Sequence, residues 1–118
     1  MTNEIQYTLE WTLKPGGLDA FKKLANEVIK QVHDNEPEMK GYQWYFNADQ
    51  SKCYTAEWQT SSESLLSHLQ NVSTVLPQIL QHSDITRFEV FGNPNPQALE
   101  AVRGLGAHVF EYFNGFTR

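Results

Sequence analysis

Cysteine is almost absent: Cys53 stands alone among 118 residues. That excludes an intrachain disulfide and any zinc site built on thiolates. Positive charge is scarce too. Lys and Arg number 9 against 14 Asp and Glu, for a net charge of -5. The cations are scattered, so the basic stripe that nucleic acid or an anionic membrane surface would need is missing. No apolar run is long enough to cross a bilayer. The stretch from Met1 to Gln6 is polar and carries Glu4, unlike a secretory leader. Internal repeats, low-complexity segments, Ser-His-Asp or Cys-His constellations and phosphate-binding glycine loops are also missing. Gly104-Leu105-Gly106 is no such loop, because it does not lie between a strand and a helix of a βαβ unit. The expectation is a cytoplasmic protein with neither nucleic acid nor membrane as partner.

What the chain has in plenty is rings. Aromatics make up 13% of it, and 40% is hydrophobic overall. That suffices for one core at this length. Ile5, Tyr7, Leu9, Trp11 and Leu13 alternate with polar residues, the period of a strand with one apolar face. Lys14-Pro15-Gly16-Gly17 ends it. Leu18, Phe21, Leu24, Ala25, Val28, Ile29 and Val32 then recur at helical spacing, with lysines filling the other face. The helix ends near His33-Asp34-Asn35, since Pro37 disfavours helix at the residue before it.

Gly41 to Asn47 and Lys52 to Gln59 read as a β-hairpin around a short polar connection. Pairing Asn47 with Lys52 puts Tyr45, Tyr54, Ala56 and Trp58 on one face. Tyr42, Trp44, Phe46, Cys53, Thr55 and Glu57 take the other. Thr60-Ser61-Ser62-Glu63 fits a capping box with Thr60 as N-cap. Leu65, Leu66, Leu69 and Val72 follow as an apolar stripe. A second helical piece with Pro77 in its first turn comes next. Ile85 to Phe91 completes the strands, with Thr86, Phe88 and Val90 alternating against Arg87 and Glu89.

The order is β-α-β-β-α-β, a ferredoxin-like α+β sandwich. Right-handed crossovers stack both helices on one sheet face, and the ring-bearing opposite face calls for a partner. A homodimer is the commonest solution. The domain runs over residues 1–92. Residues 93–118 form an extension, a short helix over Gln97 to Arg103 and then an arm carrying Phe110, Tyr112, Phe113 and Phe116. It is expected to pack on its own domain or on the dimer partner.

Thr55-Ala56-Glu57-Trp58-Gln59-Thr60 followed by Glu63-Ser64-Leu65-Leu66-Ser67-His68-Leu69 resembles the antibiotic biosynthesis monooxygenase family. Its pattern is a strand ending in Glu-Trp, then a helix with His-Leu. Leu13-Lys14-Pro15-Gly16 and Glu38-Met39-Lys40-Gly41-Tyr42 resemble its strand boundaries. The resemblance spans about Ile5 to Val90 and implies a dimeric α+β barrel. It also implies one of several activities, since some members oxidise phenols or quinols with dioxygen and no cofactor, while others degrade haem.

From the resemblance, Trp58 lines a pocket between sheet and helices. Its indole N–H can donate to a phenolate or quinone oxygen. His68, on the inward stripe of the second helix, is the candidate base, because only His titrates near neutrality. Tyr45 and Tyr54 are expected to line the cavity. Some quinone-forming members carry Asn where Tyr54 stands here, and Asn71 is the nearest spare amide. Haem degraders also use an Asn on the first strand, and Tyr7 to Leu13 has none. The expected function is a cofactor-independent monooxygenase acting on a small phenol or quinol. The alternatives are a non-catalytic dimeric module for a small apolar ligand and, ranking lower, a haem protein using His68. His33, His82 and His108 lack ligand spacing. Glu36 and Glu38, flanking Pro37, read as solvated loop acids.

Overall fold

The computed structural model describes residues 3–118. Met1 and Thr2, which begin both the polar N-terminal stretch and the 1–92 domain, lie outside the described residues. The elements run β1 (Ile5–Leu13), α1 (Leu18–Asn35), β2 (Gly41–Phe46), β3 (Lys52–Gln59), α2 (Ser62–Asn71), α3 (Leu76–Ile79), β4 (Ser83–Phe91), α4 (Pro96–Gly104) and β5 (His108–Phe110). They form one sheet in the order β2-β3-β1-β4-β5. The first four strands pair antiparallel and β5 joins β4 in parallel. This is the expected ferredoxin-like arrangement, with one strand added at the edge.

Alternation decides which residues face the helices. Ile5, Tyr7, Leu9 and Trp11 of β1 are buried and pack with Phe21, Val28 and Val32 of α1 and Leu65 of α2 in one core. The hairpin register is Tyr45 opposite Tyr54 and Phe46 opposite Cys53, which continues to Asn47 and Lys52 as the sequence suggests. Cys53, Thr55, Glu57 and Gln59 therefore turn inward and are buried, while Tyr45 and Tyr54 are exposed. At the start of α1, Gly17 lets the chain pass close to the residue before β4: a Cβ there would lie 2.7 Å from the His82 carbonyl oxygen.

Local readings shift in three places. Ser61, not Thr60, caps α2, its hydroxyl accepting from the Ser64 N–H. A β-bulge in the β1–β4 pairing places Ile85 opposite Trp11 and Arg87 opposite Glu10. Thr86 is the extra residue and turns outward to Glu10, so Ile85 takes the inward place expected of Thr86. In the C-terminal segment, α4 buries Ala98 and Val102 and β5 extends the sheet. Beyond it Phe113 and Phe116 do not pack on their own domain, at 95% and 82% exposed, whereas Tyr112 is half-exposed and ties back to Asn93.

Candidate active site

Between the inner sheet face and the helices lies a cavity walled by Tyr7, Trp11, Tyr42, Trp44 and Phe88 from the strands and by Leu69, Val72 and Ile79 from the helices. The space open to the centre of a water molecule is about 50 Å³, enough for a few waters. Ile85 and the half-exposed Leu105 border both this cavity and a surface groove, and so mark its mouth.

One end of the cavity is polar, formed by Glu57 and His68. Glu57 reaches it because β3 alternation turns it inward between Thr55 and Gln59. His68 reaches it because it lies one turn beyond Leu65 and one turn before Val72 on the buried stripe of α2. His68 Nε2 is 3.2 Å from Glu57 Oε1. On the other side of the ring, His68 Nδ1 is 2.8 Å from Glu36 Oε1. The side chains of His68, Glu36 and Glu57 are 5%, 8% and 5% exposed. Asn71 Nδ2 donates to Glu36 Oε2 at 2.6 Å, and Gln31 Nε2 donates to Asn71 Oδ1 at 3.0 Å. The edge of the Tyr42 ring meets His68, with centroids 5.4 Å apart.

These contacts set the charge state. Burial alone would lower the His68 pKa, but Glu36 and Glu57 outweigh it and lift it to about 9. At neutral pH the ring is an imidazolium that donates from Nδ1 to Glu36 and pairs through Nε2 with Glu57. Burial, reinforced by the charge of Glu57, holds the Tyr7 and Tyr42 phenols far above their ordinary range, so both stay neutral. Trp44 Nε1 is buried without an acceptor in hydrogen-bond geometry; the Tyr42 hydroxyl feels it but lies outside that geometry. Trp11, by contrast, spends its N–H on Thr55 Oγ1 at 3.3 Å.

The structure brings together only part of the expected site. His68 lines the cavity. Trp58, Tyr45 and Tyr54 do not, because they leave the hairpin on the face without helices, opposite to Glu57. Trp58 Nε1 donates to Glu4 Oε1 at 2.9 Å, and the Lys40 ammonium sits 4.3 Å from a Trp58 ring centroid. The Tyr54 hydroxyl donates to Glu10 at 2.6 Å. Asn71 is committed to Glu36 rather than to the cavity. Glu36, read as solvated, is instead buried against His68. The unforeseen members are Glu57, Tyr42 and Trp44, all on the hairpin face that alternation had already grouped. Among the described residues no cluster of three His, Cys, Asp or Glu side chains is arranged to hold a metal ion. With both His68 nitrogens engaged by carboxylates, neither is presented to a haem iron.

No family model and no curated protein matches the sequence. Solved structures do match in shape. MupZ from Pseudomonas fluorescens superposes with a TM-score of 0.84 at 23% identity, over 100% of this chain and 91% of that one. A Caulobacter crescentus protein assigned by name to the antibiotic biosynthesis monooxygenases gives 0.66 at 16% identity, over 75% and 88%. A further antibiotic biosynthesis monooxygenase gives 0.63 at 17%, over 73% and 92%. The chain has the antibiotic biosynthesis monooxygenase fold. The cavity with Glu57 and His68 thus lies between sheet and helices of that fold. No helix is long and apolar enough to cross a membrane among the described residues.

Proposed function

We propose that the protein is a cofactor-independent monooxygenase that oxidises a small phenol or quinol with dioxygen in the cavity between sheet and helices. The observation that carries this reading is the meeting of two features in one ring-lined space. One is the Glu57–His68 pair, which can take and hold a proton. The other is the buried N–H of Trp44 in the cavity wall, which has no acceptor in hydrogen-bond geometry and the Tyr42 hydroxyl beside it.

The chemistry differs in two respects from the sequence-based expectation: Trp44 replaces Trp58 as the N–H donor, and Glu57 replaces His68 as the base. His68 is already protonated, so Glu57 is the base and His68 the stabilising cation. The substrate O–H breaks as Glu57 takes the proton, leaving a phenolate flanked by the imidazolium and the Trp44 N–H. In a desolvated site those interactions are stronger than in water. The electron-rich ring then passes an electron to dioxygen, and the radical pair combines as a peroxide at a ring carbon. Loss of water leaves a quinone. One oxygen atom enters the product, and the other leaves as water with the hydroxyl and ring protons. The protein needs only to bind, orient and move a proton. A ring enters by displacing Leu105 at the mouth, since the resting cavity is smaller than a typical ligand site. Oxygen uptake in sealed cells with a panel of quinols tests this reading: uptake with quinone formation in wild type and its loss in Glu57→Gln are expected. No uptake with any of them would sink it.

The small resting volume favours a second reading, a module that binds an apolar ligand without turning it over. Its signature is ligand-dependent stabilisation with no oxygen consumed. In either reading the bare sheet face, with Tyr45, Tyr54 and Phe91 exposed, closes against a second copy.

A further inference from the structure

Glu36, His68 and Glu57 stand in a row, and the two ends of that row open on different spaces. Glu57 and His68 border the internal cavity, and Glu36 does not. Glu36 borders two surface grooves. One runs past Pro37, Lys40 and Gln43, and the other past Ser64 and Ser67. Neither groove touches Glu57 or His68. A buried ion row that costs this much desolvation thus bridges an apolar chamber and the outside.

We propose that this row is a charge-coupled proton exit, with Glu57 as its cavity end and Glu36 as its solvent end. The identity of the proton carried rests on the monooxygenase reading; the device itself does not. Its operation follows from what holds the charge on His68. Two carboxylates face the ring, Glu36 from the end of α1 and Glu57 from β3. Tyr42 from β2, and Tyr7 from β1 beside Glu57, remain neutral. When Glu57 takes a proton, its carboxylate O–H forms and its negative charge passes to the phenolate; once that charge has moved on to dioxygen, His68 keeps only Glu36 to hold its own charge against burial. His68 then sheds the Nδ1 proton: that N–H breaks and an O–H forms on Glu36, which releases the proton to the groove. His68 keeps its Nε2–H throughout, so no ring flip is needed. On the return stroke Glu36 takes a proton from water and passes it to Nδ1. Glu57 then gives its proton to the departing peroxide oxygen. One proton leaves and one returns, matching a reaction that releases none overall. Asn71 and Gln31 hold the Glu36 carboxylate in line. Glu36 is therefore a positioning and relay residue and does not touch substrate.

The test is nitrogen NMR of the labelled His68 ring in the full chain, with no substrate present. In wild type the Nδ1–H should exchange with water faster than the Nε2–H, because only Nδ1 faces the solvent end. Glu36→Gln should slow Nδ1–H exchange about tenfold, because the acceptor that takes the proton is gone. Glu36→Asp should restore most of it. Glu57→Gln, which imitates the protonated acid, should lower the His68 titration without slowing Nδ1–H exchange. Equal or reversed exchange rates in wild type would overturn the proposal even if every variant failed to fold. So would unchanged exchange in Glu36→Gln, or an unchanged His68 titration in Glu57→Gln. Oxygen uptake plays no part in these measurements, so an inactive protein with a working relay would count against the monooxygenase reading alone.

Discussion

His68 Nε2 and Glu57 Oε1 lie 3.2 Å apart with both side chains almost wholly buried, and Glu36 closes the other side of the ring. The folded protein therefore holds His68 charged up to about pH 9, whereas an unfolded chain releases that proton near its ordinary value of about 6.5. A pKa raised by folding contributes stability that is complete below the unfolded value and lost as pH rises through the folded one. The loss between pH 6 and pH 10 should approach about 3 kcal/mol. Denaturant unfolding at the two pH values checks it. The wild-type midpoint should fall with pH and that of His68→Gln should stay nearly flat. A wild-type midpoint that does not move would mean that the ring is neutral.

The two hairpin tryptophans should separate in function. Trp44→Phe keeps a ring in the cavity but removes its N–H. It should lower kcat/KM for the phenol by about 10- to 100-fold, the worth of one buried donor to a developing oxyanion. Trp58→Phe lies across the sheet and should leave turnover near wild type. The reverse pattern in steady-state kinetics would move the active site to the other face.

This division was half legible in the sequence. Alternation alone assigned Glu57 and Trp44 to one side of the hairpin and Trp58 to the other, and the register agrees. What alternation does not say is which side the helices cover. The Glu-Trp pattern drew attention to Trp58, while its neighbour Glu57 holds the inward position. Glu36 was illegible for a different reason. It lies past the end of α1, where no periodicity applies, and an acid beside proline is usually solvated. Only the three-dimensional approach of α2 brings His68 and Asn71 to it. The bulge at Thr86 was hidden likewise, because one extra residue in a strand leaves no mark in its composition.

The sheet face away from the helices should be the dimer interface. Tyr45 is 57% exposed there, and Tyr54 is fixed by its bond to Glu10, whose carboxyl is held down at about 2 chiefly by the Thr86 and Tyr54 hydroxyls. An Asp in place of Tyr45 would remove a ring from the interface and bury a further carboxylate on the face that already carries Glu10. Sedimentation at micromolar concentration should show a dimer for wild type and a monomer for Tyr45→Asp, with circular dichroism unchanged. A wild-type monomer would remove the dimer from the account.

The terminal arm should serve that dimer rather than the domain that carries it. Its ties are few. The Tyr112 N–H donates to Asn93 Oδ1 at 3.3 Å and its hydroxyl to the Gly115 carbonyl at 2.9 Å, while Arg118 sits over Phe116. None of these anchors Phe113 or Phe116 to the core, whereas β5 is secured before the arm begins, by its pairing with β4 and by the Gly92 N–H donating to the Phe110 carbonyl. Deleting residues 112–118 therefore removes little that stabilises one subunit. At concentrations where the protein is monomeric, unfolding stability should change by about 0.5 kcal/mol or less, as for surface changes away from packed features. Each ring that a second copy buries is worth about 1.5–3 kcal/mol, so the dissociation constant of the dimer should rise at least about tenfold. Sedimentation equilibrium and denaturant unfolding on the same truncated protein separate the two effects. A stability loss with an unchanged dimer would mean that the arm folds back on its own domain in solution, and no change in either would mean that its rings have no structural role.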